Sequence, residues 1–162
     1  MSEVRTKSSA ILLVHEITLS GLKQKMGYLI DTDIILFSLK GDKTVNDNFR
    51  KHRLDSIFVS AITIGELTYG AEKSQQKEKN YKDVDVVKRN FVSFDISDEI
   101  MSVFGKLKAQ QEKSGLVVAD MDLQIAATAI YYNLTLVTNN TKHFSKIQGL
   151  KTENWKQAQP DL

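Results

Sequence analysis

Short apolar runs alternate with longer amphipathic stretches from residue 28 onward. Short runs rich in β-branched and aromatic residues are typical of buried strands, whereas apolar positions spaced three and four apart indicate helices. The pattern predicts strands at 28–30, 57–59, 91–94 and 134–137, with a weaker one at 150–152. It predicts helices at 33–38, 43–52, 61–76, 80–90, 98–113 and 121–132.

Strands that alternate with helices are typical of βαβ units, in which neighbouring strands are parallel. We therefore expect an α/β fold, a three-layer sandwich with a central, mainly parallel sheet. Ser60 and Ser97 precede helical segments and are expected to cap them, because a side-chain oxygen satisfies a free amide of the first turn. Asp120 is expected to cap the helix at 121–132 in the same way.

The chain of 162 residues is long enough for one domain, and its one proline is Pro160. Linkers, repeats and low-complexity tracts that would mark a second domain are absent from the sequence. Residues 1–25 show no clear period. We expect them to form an N-terminal extension upstream of the true start at Met26, with a single domain over 26–156 and a C-terminal tail at 157–162.

The composition excludes several classes of site. The chain has no cysteine, which excludes disulfide scaffolds, cysteine zinc sites and thiol nucleophiles. Its formal charge of +2 is too small to indicate nucleic-acid binding by bulk electrostatics. No run approaches the roughly 20 apolar residues of a membrane helix, so we expect no membrane association. The three histidines show no zinc-ligand spacing.

Acidic residues follow the predicted strands. Asp31 and Asp33 come directly after the first strand, and Glu66 lies two turns into the helix that follows the second. Asp122 begins the buried, small-residue face of the helix at 121–132. Considered singly, Asp31 or Asp33 would be a helix cap and Glu66 a solvated helix residue. Asp122 on a buried face requires a partner.

These positions converge, because ligand sites in open α/β sheets form beyond the carboxyl ends of the strands. Clustered carboxylates repel one another unless a cation lies between them. Oxygen-only ligand sets favour hard cations such as Mg²⁺ or Mn²⁺. The leading chemistry is therefore metal-dependent hydrolysis of a phosphodiester.

Four ordered motifs carry a family resemblance that covers residues 27–155. They occupy 28–33 (YLIDTD), 66–74 (ELTYGAEKS), 122–127 (DLQIAA) and 136–144 (LVTNNTKHF), with a closing GLKTENW at 149–155. The chain resembles PIN-domain ribonucleases, specifically VapC-type toxins of bacterial toxin–antitoxin pairs.

The resemblance implies a cytoplasmic, Mg²⁺- or Mn²⁺-dependent endoribonuclease that cuts structured RNA such as tRNA. It also implies a cognate antitoxin as a partner and frequent homodimers. The family's metal-binding and catalytic carboxylates fall on Asp31, Glu66 and Asp122. Where many members carry a fourth acid, this chain has Asn140, with His143 slightly further on, which leaves the number of metal ions open.

Supporting and substrate-binding residues are less sharply indicated. The hydroxyls of Thr32 and Thr138 lie beside the acids and would support the metal ligands, or serve only as turn and cap residues. The RNA-binding candidates are basic residues, namely Arg50, Lys51 and Arg53, which flank His52, and Lys73. The segment from Lys73 to Arg89 is expected to form an exposed helical arm for dimerisation or antitoxin docking.

The sequence is compatible with two alternatives. The missing fourth acid is compatible with a catalytically weakened PIN-like module that binds RNA or protein. The run Asp31-Thr32-Asp33 also resembles the start of haloacid-dehalogenase-like phosphatases, in which the first Asp is the nucleophile. The phosphatase alternative does not account for Glu66.

Overall fold

The structure is a computed structural model that describes residues 27–53 and 55–157. The expectations of an extension over residues 1–25 and of a start at Met26 lie outside the described residues. The elements in chain order are β1 (Gly27–Ile30), α1 (Thr32–Leu39), α2 (Lys43–Lys51), β2 (Ser56–Ser60), α3 (Ala61–Lys73), α4 (Lys77–Asn90), β3 (Val92–Phe94), α5 (Asp98–Lys113), α6 (Asp120–Tyr131), β4 (Thr135–Val137), α7 (Thr141–Phe144) and β5 (Lys151–Glu153).

The five strands form one sheet in the order β3-β2-β1-β4-β5, and each of the four pairings is parallel. The central strand β1 sets the register, since Leu29 lies opposite Phe58 of β2 and Leu136 of β4. The expected parallel sheet is therefore confirmed. Its carboxyl edge brings together the segments that follow β1, β2 and β4.

Two apolar cores lie on the two faces of the sheet. Successive strand residues point to opposite faces, so Leu29 packs with α5 and α6, while Ile30 packs with α1 to α4. Both side chains are fully buried. The result is the expected three-layer sandwich, and among the described residues no helix is long and apolar enough to cross a membrane.

Helix starts were predicted with mixed success. Ser60 and Ser97 cap α3 and α5, accepting the backbone N–H of Thr63 and Ile100. The prediction for Asp120 is wrong. Ala119 occupies the cap position of α6, and Asp120 is the first helical residue, with both carboxylate oxygens 2.8 Å from Lys108 Nζ.

The predicted helix over 61–76 ends earlier, and the next helix begins earlier than residue 80. The backbone of Ser74 is extended, and its hydroxyl accepts the N–H of Gln76 at 3.0 Å. Such local side-chain bonds compete with helix continuation. The segment from Lys73 to Arg89, expected as an exposed helical arm, is the end of α3 followed by α4, which is exposed along most of its length and packs on the core through Val84 and Val87.

Candidate active site

Asp31 is the most buried acid of the site, at 8% exposure. It follows β1 directly and caps α1, because its Oδ1 accepts the N–H of Thr32 at 2.8 Å. Its Oδ2 accepts the hydroxyl of Thr138, the residue after β4, at 2.8 Å. The capping role and the site position thus coincide in one residue, and two strand ends are joined through its carboxylate.

Asp33 also links the segment after β1 to the segment after β4. Its Oδ2 accepts the N–H of Asn139 at 3.0 Å. Its Oδ1 is buried and has no hydrogen-bond partner among the described residues. The sequence indicated Asp33 only as a helix cap, whereas the structure places it in the site beside Asp31. The signal was the spacing Asp31-Thr32-Asp33, which sets two acids within one turn at a strand end.

Glu66 and Asp122 complete the carboxylate set from the helices. Glu66 lies on α3, and its Oε2 accepts the hydroxyl of Thr32. Asp122 lies in the first turn of α6, with its Oδ2 3.0 Å from Nε2 of His143 on α7. The expected partner for Asp122 is therefore an imidazole, which the sequence placed only near the site.

A cavity of about 570 Å³ unites these groups. Its polar lining includes Asp31, Asp33, Glu66, Asp122 and Asn140. The threonine candidates are also in place, because Thr32 lines the cavity and Thr138 binds Asp31. The sequence prediction that acids from separate elements converge at the carboxyl edge of the sheet agrees with this geometry.

Burial disfavours the charged form of two carboxylates in the site. Burial raises the pKa of Asp31 to about 7, and the neighbouring charge of Asp33 adds to this, while hydrogen bonds from Thr138 and Thr32 act against it. Burial also raises the pKa of Asp33. Both shifts arise because a carboxylate loses hydration in the cavity without gaining a cation. A positive ion in the cavity would remove that penalty.

The donor set suits a hard cation, since it consists of carboxylate oxygens and the side chain of Asn140. The buried, unpartnered Oδ1 of Asp33 is a further sign of missing positive charge. In the described part of the chain, no three acidic or histidine side chains stand close enough together to hold one ion as they are positioned. Two of the acids are hydrogen-bonded elsewhere, Glu66 to Thr32 and Asp122 to His143.

Three of the predicted RNA-binding residues lie away from the cavity. Arg50, Lys51 and Arg53 precede β2, at the amino edge of the sheet, whereas the carboxylates lie at the carboxyl edge. Their neighbour His52 is buried, with its ring stacked 4.8 Å from that of Trp155 and its Nδ1 2.7 Å from Asp55. The structure does not bring this cluster together with the site.

Lys73, the fourth predicted RNA-binding residue, lies near a residue that lines the cavity. It lies on α3, two turns after Glu66, and its Nζ stands 5.1 Å from the ring centroid of Tyr69. Tyr69 and Met121 line the cavity as well. The sequence predicts both only as helix residues, although each lies close in sequence to a predicted acid on the same helix.

Comparisons with known proteins agree with this geometry. The PIN domain model matches residues 28–150, a range that includes every carboxylate of the cavity. The chain is 36% identical over 132 residues to ribonuclease VapC2 of Rickettsia felis, covering 80% of this chain and 98% of that protein. It is 32% identical over 129 residues to the tRNA(fMet)-specific endonuclease VapC of Shigella flexneri, covering 79% and 97%.

Solved structures give the same result. The crystal structure of VapBC2 from Rickettsia felis bound to a DNA fragment from their promoter matches with a TM-score of 0.76 at 34% identity, covering 80% of this chain and 98% of that one. The phosphatase alternative is set aside by these matches. The chain belongs to the PIN-domain family, within its group of VapC-type ribonuclease toxins.

Proposed function

We propose that this chain is a Mg²⁺- or Mn²⁺-dependent endoribonuclease that hydrolyses phosphodiester bonds in structured RNA, tRNA included, in the cytoplasm. The observation that carries the proposal is the single cavity lined by Asp31, Asp33, Glu66 and Asp122. Carboxylates from α1, α3 and α6 converge there, and within residues 27–53 and 55–157 no cationic side chain is hydrogen-bonded to Asp31, Asp33 or Glu66. A nuclease site that takes up a divalent ion requires such a charge pattern.

Asp31, Glu66 and Asp122 would hold the ion, with the side-chain carbonyl of Asn140 as a further oxygen donor. When bound, such an ion supplies Lewis-acid stabilisation of phosphate charge and lowers the pKa of water. Glu66 and Asp122 would bind the ion through the carboxylate oxygens other than those that contact Thr32 and His143.

The chain's own residues prepare this site. The N–H of Thr32 and the hydroxyl of Thr138 fix both oxygens of Asp31, so its carboxylate is oriented before any ligand arrives. His143 orients Asp122 from α7. Groups that hold metal ligands in place typically affect metal affinity or activity by about 10–100-fold.

The partners of the proposed enzyme follow from the family. The matched relatives include VapBC complexes, and we infer a cognate antitoxin that restrains this chain. We further propose a homodimer. The helix pair α3 and α4, with the exposed side of α4, is the surface that we assign to one of these protein contacts.

The test of the function is digestion of total RNA by the purified chain with Mg²⁺ or Mn²⁺, followed by sequencing of new 5′ ends. We expect discrete cuts that disappear with EDTA and with Asp31→Asn. Folded, antitoxin-free protein that makes no metal-dependent cuts would contradict the enzyme. RNA or protein binding by such a sample would instead support the alternative of a PIN-like binding module.

Thr138→Val is expected to weaken Mg²⁺ binding by about 10–100-fold, because the isosteric valine no longer donates to Asp31 Oδ2 or accepts from the N–H of Asn140. Calorimetric titration with MgCl₂ measures the effect. The matched control is Thr128→Val, since Thr128 is also buried but donates within α6 to Gln124. Equal affinities for Thr138→Val and the parent chain would contradict a supporting role for Thr138.

A further inference from the structure

Large apolar side chains surround the acidic cavity and stay exposed. Tyr69 is 64% exposed, Met121 54% and Leu36 41%, and all three line the cavity that contains the carboxylates. Exposed apolar groups gathered at one site, rather than scattered singly, indicate contact with a ligand. The cavity therefore offers apolar as well as ionic contacts to whatever enters it.

The Tyr69 side chain lies at a defined position relative to the acids. Tyr69 lies three residues after Glu66 on α3, a spacing that puts both side chains on one side of the helix. Met121 directly precedes Asp122 on α6. A ligand group held by the carboxylates and their ion would therefore have Tyr69 as a close neighbour.

Lys73 adds a positive charge to this surface. Its Nζ lies 5.1 Å from the centroid of the Tyr69 ring, while most of the Tyr69 side chain remains open to solvent. The matching ligand thus combines a planar apolar group for the ring with one anionic group near Lys73 and a second at the ion site. A nucleotide strand has this combination, because planar bases alternate with phosphates at short intervals.

We propose that Tyr69 stacks on an unpaired nucleobase next to the phosphate that is cleaved, with Lys73 against a neighbouring phosphate. The inference rests on the proposed RNA cleavage and specifies which RNA is accepted. Bases inside an A-form duplex are already stacked, whereas bases in loops and bulges are free to stack on an aromatic side chain. Tyr69 is therefore the residue that we assign to recognition of the unpaired base beside the cut.

The test is a cycle of protein and RNA changes. The substrate is a stem–loop RNA containing one mapped cut, in intact form and with the base beside the cut replaced by an abasic residue. The variants are Tyr69→Leu, which removes the ring, and Tyr69→Phe, which keeps it. Met101→Ala is the control, because Met101 is also a partly exposed apolar side chain but lies on α5, outside the cavity lining.

We expect Tyr69→Leu to raise KM for the intact RNA about tenfold, and Tyr69→Phe and Met101→Ala to leave it nearly unchanged. The abasic RNA should raise KM about tenfold for the parent chain and have little further effect on Tyr69→Leu. A general structural role of Tyr69 would not produce this dependence on one RNA base. Circular dichroism of each variant checks that the fold is kept.

Several outcomes overturn the inference. An unchanged KM for Tyr69→Leu does so, as do equal losses on intact and abasic RNA. If Tyr69→Leu dissociates a homodimer or weakens antitoxin binding while KM stays constant, the ring serves a protein interface instead. These outcomes leave metal-dependent cleavage by the parent chain intact. Absence of cleavage by the parent chain itself would contradict the proposed function and, with it, the inference.

Discussion

Asp122→Asn is expected to lower kcat/KM for RNA cleavage by about a thousandfold, whereas Asp120→Asn should change it by less than about threefold. The two acids lie on the same turn of α6, two residues apart. Asp122 lines the cavity, while Asp120 forms an exposed ion pair with Lys108. The paired variants therefore separate the local chemistry from any general effect on α6.

The magnitude follows from the role assigned to each carboxylate. Loss of a metal-binding carboxylate removes several kcal/mol of transition-state stabilisation, and about 4 kcal/mol corresponds to about a thousandfold in rate. An exposed ion pair contributes about 0–1 kcal/mol to stability, so Asp120→Asn should fold almost as well as the parent chain.

Single-turnover cleavage of an end-labelled RNA at fixed Mg²⁺ measures both variants, and thermal unfolding shows whether each is folded. Two outcomes would contradict the role assigned to Asp122. If the two variants lose activity equally while both stay folded, Asp122 has no special part in catalysis. If Asp122→Asn retains full activity, the metal-binding set does not include α6.

The convergence of the acids could be predicted from the sequence because two periodicities determined it. Short β-branched runs placed the strands, and parallel pairing then put the residues after each strand at one edge. Asp31 could be predicted from its position after β1 alone, and Asp122 from its place on the buried face of α6. These are consequences of local pattern and topology, which one sequence contains.

Pairwise contacts across the fold could not be predicted in the same way. Instead of capping α6, Asp120 forms an ion pair with Lys108, which lies 12 residues earlier on α5. The site position of Asp33 depends on the N–H of Asn139, more than 100 residues away in sequence. Hydrophobic periodicity gives no information about such partners.

The position of the basic cluster could not be predicted from its charge. Arg50, Lys51 and Arg53 are adjacent in sequence and suggest a phosphate contact, but charge alone does not specify which edge of the sheet a segment occupies. Their position before β2 places them at the amino edge. Lys73 is a single lysine and a weaker sequence signal, yet it follows the strand end and lies on the helix that carries Glu66.

Metal-free protein is expected to lose stability as the pH rises from about 4 to about 8, and Asp31→Asn should remove much of this loss. Burial, and then the charge of Asp33, raises the pKa of Asp31 from its ordinary 3.8 to about 7 in the folded chain. The folded state therefore binds the proton more tightly than the unfolded state. The corresponding stabilisation is complete below pH 3.8 and is lost as the pH rises through 7.

The expected loss is about 2–4 kcal/mol between these limits, since each pH unit within the window is worth about 1.4 kcal/mol. Urea unfolding in EDTA at several pH values measures it for the parent chain and for Asp31→Asn. The asparagine oxygen still accepts the N–H of Thr32, so the cap of α1 is retained while the charge is removed.

Added Mg²⁺ should reverse which of the two proteins, the parent chain or Asp31→Asn, is the more stable. At pH 8 in EDTA we expect Asp31→Asn to be the more stable, because it has no buried charge to desolvate. With Mg²⁺ in excess the parent chain should be the more stable, because the ion binds the folded state and its stabilisation grows with free concentration. Parallel pH profiles for the two proteins in EDTA would show that Asp31 is not the group responsible. A reversal with Mg²⁺ would mean that the same buried carboxylate destabilises the metal-free fold and supplies the affinity for the ion.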